Sequence, residues 1–207
     1  MNWIILLVLA FLALIGPSIW VKRTMLKYSE PSDRYPFTGH LFAEKLLKAL
    51  HLNEVKVEST NLGDHYDPIT KTVRLTEEKY QSQSLTAITV AAHEVGHAHQ
   101  HETGYRPFKI RTLLVKTMAP AERLGALILM TAPFVALITR VPQSGLVMFL
   151  GGILTLGLGA VIHLVTLPTE WDASFNRAMP MLEKGKILKE GDGVHARSIL
   201  TAAACTY

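Results

Sequence analysis

Long uncharged apolar runs alternate with amphipathic segments along the chain. The first run extends from Trp3 to Val21, the second from Leu124 to Thr139, and a third, longer one covers 141–169. As a helix with a rise of 1.5 Å per residue, the first run measures roughly 28 Å, close to the thickness of the hydrocarbon core of a bilayer. The pattern therefore predicts three transmembrane helices, the third of which occupies 146–167.

A short turn at 141–145 joins the second and third runs, so these two predict a helical hairpin. Pro133 would kink the first helix of the hairpin without breaking it, because neighbouring helices can satisfy the freed backbone groups. A buried hairpin in the core of a soluble protein is the alternative interpretation. Small residues suited to close helix packing lie in the second helix of the hairpin, which is the third predicted span, namely Gly151, Gly152, Gly157 and Gly159.

Basic residues are distributed unevenly around the predicted spans. Lys22, Arg23 and Lys27 follow the first run, which is typical of a retained anchor and not of a cleaved signal peptide. Of the 21 Lys and Arg residues, all but Arg140 in the hairpin turn lie on one side of the spans. The positive-inside rule predicts that this side is the cytoplasm, with the N-terminus outside.

Shorter periodic patterns occupy the water-facing part of the chain. Apolar residues at helical spacing predict an amphipathic helix over 38–52. Alternation of apolar and polar residues predicts strands around 55–58 and 72–75. The expected fold is therefore α+β, a mainly helical membrane protein with a small antiparallel sheet.

We expect four regions along the chain. They are a transmembrane anchor at 1–21, a cytoplasmic catalytic region at 22–121, a transmembrane hairpin at 122–167 and a C-terminal helical region at 168–207. An apolar helical pattern is still in progress at Tyr207, and the natural chain could continue into a further span.

Composition narrows the chemistry that the chain can perform. Charged residues make up 18% of the sequence, against about 25% in a typical soluble domain, which argues against a nucleic-acid-binding protein. Cys205 is the only cysteine, so neither an internal disulfide nor a cysteine-rich metal site is possible within one chain. Any metal must therefore be bound by histidine and carboxylate side chains.

One helix carries a metal-binding pattern. Ser82 or Ser84 can cap a helix that runs through about His101 and that Gly104 can end. Within it stands the HExxH motif, His93-Glu94-Val95-Gly96-His97. Residues four apart lie on the same face of a helix, so both imidazoles can bind one Zn²⁺, and Glu94 is placed to act as a general base. The expected fold thus includes a zincin-like active-site helix.

A zinc site of this type needs a third protein ligand. His101 is about 12 Å of helix from His93, too far to share the ion, and His99 faces away from the pair. The metzincin spacing is absent, because Thr103 occupies its last position. Two candidates remain near the end of the third span: Glu170, the first carboxylate after it, and His163 within it.

Four motifs in order resemble the YugP-like neutral zinc metallopeptidases, a family of bacterial membrane proteins. They are the N-terminal anchor, His65-Tyr66-Asp67-Pro68, the segment Ala92-His93-Glu94-Val95-Gly96-His97-Ala98 followed by Gln100, and Leu167-Pro168 followed by Glu170, Asp172, Ala173 and Ser174. The resemblance implies His93, His97 and Glu170 as zinc ligands and Glu94 as the catalytic base. This gluzincin arrangement is similar to that of HtpX-type membrane proteases, except that Ser174 stands where that family has Asp. Support for the metal site is then expected from elsewhere, with Asp172 as a candidate.

The resulting hypothesis is a membrane-embedded zinc metalloendopeptidase, with one Zn²⁺ per chain and a peptide or protein substrate, acting at the cytoplasmic face of the bacterial inner membrane. A zinc-binding membrane scaffold without activity is the alternative, and a small transporter or channel subunit is a more remote one. A developing oxyanion needs a second hydrogen-bond donor, for which the candidates are His195, Arg197 and Tyr207. An exposed edge strand can hold an extended substrate, and the segment Thr72-Val73-Arg74-Leu75 either serves as that edge or is a plain sheet strand.

Overall fold

A buried helix, α4 (Leu85–Glu102), lies at the centre of the fold in the computed structural model, which describes residues 2–140 and 142–205. It packs against α2 (Gly39–Ala49), α8 (Asp192–Ala204) and a π-helical segment (Asp172–Ala178). Its side chains are buried nearly all round, as expected of a helix in the middle of a core.

The predicted ends of α4 are confirmed. The Ser84 hydroxyl accepts a hydrogen bond from the backbone N–H of Ala87, which satisfies one of the free donors of the first turn. After the helix, Gly104 takes a φ of +65°, a conformation that glycine adopts without steric cost. The amphipathic helix predicted over 38–52 is also present, as α2.

The remaining helices complete the α-helical part of the chain. They are α1 (Asn2–Lys27), α3 (Glu77–Gln81), α5 (Arg106–Thr139), α6 (Pro142–Trp171) and α7 (Met179–Lys184). The protein is thus mainly helical, as the sequence predicts.

The sheet is small and mixed, not antiparallel as predicted. It consists of β1 (Lys56–Thr60), β2 (His65–Asp67) and β3 (Thr72–Thr76), in the order β1-β3-β2. β2 pairs antiparallel with β3, but β1 pairs parallel with it. The chain reverses direction twice between β1 and β3, so these two strands point the same way.

Of the two interpretations of Thr72-Val73-Arg74-Leu75, the strand order favours the plain sheet strand over the substrate edge. Thr72-Val73-Arg74-Leu75 belongs to β3, which is the central strand and pairs with β1 along its whole length and with β2 at 72–74. Thr72, Val73 and Leu75 are buried. Because its backbone groups already pair with neighbouring strands, β3 cannot add a substrate strand; the edges of the sheet are β1 and β2.

The chain divides into two units, one formed by residues 1–105 and 170–207 and the other by residues 106–169. The second unit contains the predicted hairpin. Gly125 of α5 lies against Thr155 of α6, and Gly152 of α6 lies against Leu129 of α5, so the two helices pack antiparallel. The connection is shorter than predicted, because α5 ends at Thr139 and α6 already begins at Pro142.

The predicted role of the glycines in the hairpin is only partly right. A Cβ on Gly152 would collide with Leu129, as expected of a packing glycine. A Cβ on Gly151 or Gly157 would meet no atom within 4 Å, and Gly159 lies outside the side-chain positions that the structure describes.

α6 does not end at residue 167, where the predicted third span ends, although Pro168 follows directly. α6 continues through Pro168 to Trp171 and passes directly into the π-helical segment. A proline removes one intrahelical hydrogen bond, and helices can absorb this loss where packing stabilises the following turn. Here Glu170, Ala173 and Ser174 are fully buried.

Among the described residues, one helix, Arg106–Thr139, is long and apolar enough to cross a bilayer. Only 12% of its most apolar window is buried, unlike the core helix of a soluble protein. Apolar side chains of α6, such as Leu154 and Leu164, are likewise largely exposed. These surfaces are a weak sign of membrane association.

Candidate metal centre

Three buried side chains converge on one point. The Nε2 atoms of His93 and His97 lie 3.3 Å and 3.2 Å from Oε2 of Glu170, and the three side chains are at most 3% exposed. Metal bonds of 2.0–2.1 Å in tetrahedral geometry place neighbouring ligand atoms about 3.3 Å apart. The spacing from each imidazole to the carboxylate therefore fits a zinc ion.

Close helix packing brings Glu170 to the histidines. Gly96 lies between the two histidines in the HExxH motif, and a Cβ there would stand 2.8 Å from the backbone oxygen of Ala173. Only a residue without a side chain allows α4 and the π-helical segment to approach so closely. This approach places Glu170, three residues before Ala173, over the face of α4 that carries both imidazoles.

A hydrogen bond to Ser174 sets the tautomer of His93. The Ser174 hydroxyl lies 3.0 Å from Nδ1 of His93 and donates its own hydrogen to the backbone oxygen of Leu200 at 3.2 Å. The hydroxyl must therefore accept from Nδ1–H, which leaves the Nε2 lone pair directed at the metal position. Ser174, the residue that departs from the HtpX pattern, thus supports the metal ligand His93 directly. The expectation that support for the metal site comes only from other residues is wrong.

A second chain of hydrogen bonds orients His97. Oε1 of Gln100 lies 2.9 Å from Nδ1 of His97, and Nε2 of Gln100 donates to Oδ2 of Asp172 at 2.9 Å. Because the amide oxygen only accepts, Nδ1 of His97 carries the hydrogen and its Nε2 lone pair is available to a metal. Arg177 donates to the same oxygen of Asp172 at 2.7 Å, so Asp172 supports the site through Gln100.

The carboxylates of this region are held in the ionised form. Burial opposes ionisation of Glu170, but the imidazoles of His97 and His93 outweigh burial and hold its pKa well below the ordinary value. Burial likewise opposes ionisation of Asp172, and the hydrogen bonds from Arg177, Gln100 and Asn176 outweigh it, so that its pKa is lowered too. One anionic oxygen and two imidazole lone pairs converging in a buried space form a donor set that suits a divalent cation.

Glu94 lies beside this triad at a cavity. The cavity has a volume of about 480 Å³, and both His93 and Glu94 line it. Val90 of α4 lines it as well. The other walls come from α1, the turn before β2 with the first residue of β2, α3 and α8, and consist of Val21, Met25, Leu62, Gly63, Asp64, His65, Lys79 and Ala203. The space is large enough for a peptide segment to reach the metal position.

The structure does not bring the predicted oxyanion donors to this cavity. His195 stacks on Tyr28 and lies 3.7 Å from Asp192, and Arg197 forms an ion pair with Glu183. Among the described residues, neither lines the cavity with Glu94. Tyr207 lies outside the described residues.

The other histidines of the region take part in separate contacts. Nδ1 of His99 accepts a hydrogen bond from Arg177, and Nδ1 of His101 lies 3.0 Å from the Tyr66 hydroxyl. Burial, together with the charge of Arg177, lowers the pKa of His99 and favours its neutral form. The side chain of His163, the rival to Glu170, lies outside the positions that the structure describes.

Two supporting residues could have been found in the sequence. Gln100 stands three residues after His97, a spacing at which helical side chains are neighbours. Ser174 occupies the position that holds Asp in the HtpX pattern, and a hydroxyl can accept a hydrogen bond as a carboxylate does.

Comparison with known proteins agrees with this geometry. A family model described as "Putative neutral zinc metallopeptidase" matches residues 3–207. The chain belongs to this metallopeptidase family. A relative described as "Putative membrane protease YugP", from Bacillus subtilis (strain 168), is 32% identical over 209 residues, which cover 95% of this chain and 86% of that protein. No solved structure matches the chain.

Membership of the zinc metallopeptidase family confirms the resemblance found in the sequence motifs. It also supports zinc as the metal of the buried triad and a peptide or protein as the substrate.

Proposed function

We propose that this chain is a membrane-embedded zinc metalloendopeptidase that hydrolyses peptide bonds at the cytoplasmic face of the bacterial inner membrane. The observation that carries the proposal is the buried triad of His93, His97 and Glu170 with Glu94 beside it at a cavity. One such triad implies one zinc ion per chain.

The proposed mechanism assigns activation of the carbonyl and the water to the metal, whereas Glu94 transfers the proton. When bound by the triad, zinc supplies a Lewis acid that polarises the scissile carbonyl and makes a water molecule more acidic. Glu94 accepts a proton from the attacking water as the new C–O bond forms. It then delivers a proton to the leaving amine as the C–N bond breaks.

The arrangement favours a peptidase over a zinc-binding scaffold. A structural zinc site is closed by four protein ligands, whereas a catalytic site has three and keeps one position open. Three protein ligands meet here among the described residues, and the adjoining cavity is lined by an acidic residue that is not one of them. A scaffold would have no use for Glu94 in this place.

The proposed location rests on the distribution of apolar and basic residues. The runs at 3–21, 124–139 and 146–167 form three spans that leave the metal triad on the side that carries 20 of the 21 basic residues. The exposed apolar side chains of α5 and α6 suit contact with lipid.

Cleavage of casein by purified, zinc-loaded protein tests the proposal, with Glu94→Gln as the decisive variant. We expect this variant to keep its zinc, because Glu94 is not a ligand, and to lose at least about 100-fold in turnover, the low end of a general-base effect. Undiminished turnover at full zinc content would remove Glu94 from the mechanism. Absence of cleavage by the zinc-loaded wild type would favour the scaffold.

A further inference from the structure

The motif His65-Tyr66-Asp67-Pro68 is not explained by the metal triad. His65 begins β2, the antiparallel edge strand of the sheet. The turn that precedes β2 forms one wall of the cavity, and α4 with His93 and Glu94 forms another. A peptide bound at the metal position would therefore lie between Glu94 and this turn.

Three polar side chains line the cavity away from α4, namely Asp64, His65 and Lys79. Two of them are already engaged. Oδ1 of Asp64 accepts from the backbone N–H and the hydroxyl of Thr76, and Oδ2 forms an ion pair with Lys79 at 2.8 Å. Lys79 also donates to the Thr76 hydroxyl at 3.2 Å, so two of its three N–H donors fix the turn to the sheet.

The imidazole of His65 has one engaged nitrogen and one available nitrogen. Nδ1 lies 2.8 Å from the backbone oxygen of Gly63, and because a carbonyl oxygen only accepts, Nδ1 carries a hydrogen. Gly63 has a φ of +93°, which suits a residue without a side chain at this tight turn. Within the described part of the chain, Nε2 of His65 has no hydrogen-bond partner.

We propose that His65 is the second electrophilic group of this site and that its Nε2 donates a hydrogen bond to the scissile carbonyl oxygen as negative charge develops there. The proposal rests on the proposed peptidase function and assigns the donor that the sequence could not identify. This role requires a hydrogen on both ring nitrogens, with Nδ1–H kept on the Gly63 oxygen and Nε2–H directed at the substrate. The proton remains on His65 throughout, and Glu94 carries the proton that moves from water to amine.

This role predicts a specific kinetic effect, because a donor to the developing oxyanion acts in the transition state and not on the bound substrate. His65→Ala should lower kcat by about 100- to 1,000-fold, as removal of one such donor does, with KM and zinc content unchanged. His65→Gln retains an N–H donor and should recover part of kcat. His195→Ala, which removes the donor suggested by the sequence, should behave as wild type because that side chain lies outside the cavity wall.

The experiment uses a quenched fluorescent peptide whose sequence is taken from a casein fragment cut by the wild type, and the phosphinic analogue of the same peptide. The analogue has a tetrahedral charged centre at the scissile position and so imitates the developing oxyanion. Calorimetry on zinc-loaded proteins should show that His65→Ala loses analogue affinity by about the factor lost in kcat, whereas a cleavage-product peptide binds as to wild type.

Each outcome decides between the alternatives. Wild-type kcat and analogue affinity in His65→Ala would show that His65 only shapes the turn. Equal weakening of the product peptide and the analogue would make it a general substrate contact, which also overturns the proposal. A loss in His195→Ala but not in His65→Ala would restore the sequence-based assignment. A zinc-loaded wild type that cuts no casein would refute the proposed function, and the role of His65 with it.

Discussion

Replacing Gly96 by alanine is a direct test of how the metal centre is assembled. The new Cβ would stand 2.8 Å from the backbone oxygen of Ala173, and an unstrained contact at this point needs about 3.4 Å. The π-helical segment, or α4, must then move by about 0.6 Å. Metal ligands tolerate errors of only about 0.2 Å, so this movement is large enough to misplace Glu170 relative to His93 and His97.

The energies separate zinc binding from folding. Overpacking of this kind costs about 1–3 kcal/mol, while alanine recovers up to about 1 kcal/mol of helix propensity relative to glycine. The zinc-free protein should therefore lose at most about 2 kcal/mol of stability. If the overpacking cost falls on the ligand geometry, zinc affinity should decrease by roughly 5- to 150-fold, the factor that corresponds to 1–3 kcal/mol.

Two measurements check this expectation. Zinc affinity is determined by competition with a chelator, and thermal unfolding is followed with and without zinc. Gly157→Ala is the matched control, because it places the same change in a helix at a position with nothing within 4 Å. If Gly96→Ala binds zinc as tightly as the wild type, the close approach of the two helices does not set the ligand geometry, and the reasoning is refuted.

The remaining predictions concern the third ligand, its neighbours and the membrane topology. Glu170→Ala should lower zinc affinity sharply and His163→Ala much less. The reverse result in the chelator assay would show that His163, within the third predicted span, is the third ligand. Ser174→Ala removes the hydroxyl that accepts a hydrogen bond from the His93 imidazole, and zinc affinity should fall by about 10- to 100-fold. An affinity equal to that of the wild type would show that the serine hydroxyl is dispensable. The topology is tested in a variant that lacks the native cysteine. Gln143→Cys should react with a membrane-impermeant maleimide on intact cells, whereas Ile69→Cys, at a position where the isoleucine is 82% exposed, should react only after lysis. The opposite labelling would invert the proposed orientation.

Local sequence patterns are sufficient to predict those elements whose ends and spacing depend on neighbouring residues. The Ser84 cap, the one-turn spacing of His93 and His97 and the glycine after α4 all act within a few residues, so the sequence predicts the metal helix closely. Residue spacing leaves Glu170 and His163 as candidates for the third ligand, and the topology together with the second motif favours Glu170.

The errors concern contacts between residues that are distant in sequence. Alternation predicts that 72–75 is a strand but contains no information on which strands flank it, so the central position of β3 could not be seen. Pro168 is a local stop signal, but burial of the following turn against α4 outweighs it. The place of His65 depends on a cavity whose walls come from five separate parts of the chain.

The hydrogen bond from Ser174 to the backbone oxygen of Leu200 has a consequence for the synthesis of the protein. His93 is held by Ser174, which is itself held by α8, so the complete zinc site needs residues from both ends of a segment of more than 100 residues. At 5–20 residues per second, roughly 5–20 s separate the translation of Glu94 from that of Leu200. During this interval the nascent chain carries the HExxH helix without the Leu200 carbonyl that completes the support of His93, so the full hydrogen-bond network of the metal centre forms only after α8 has folded onto α4.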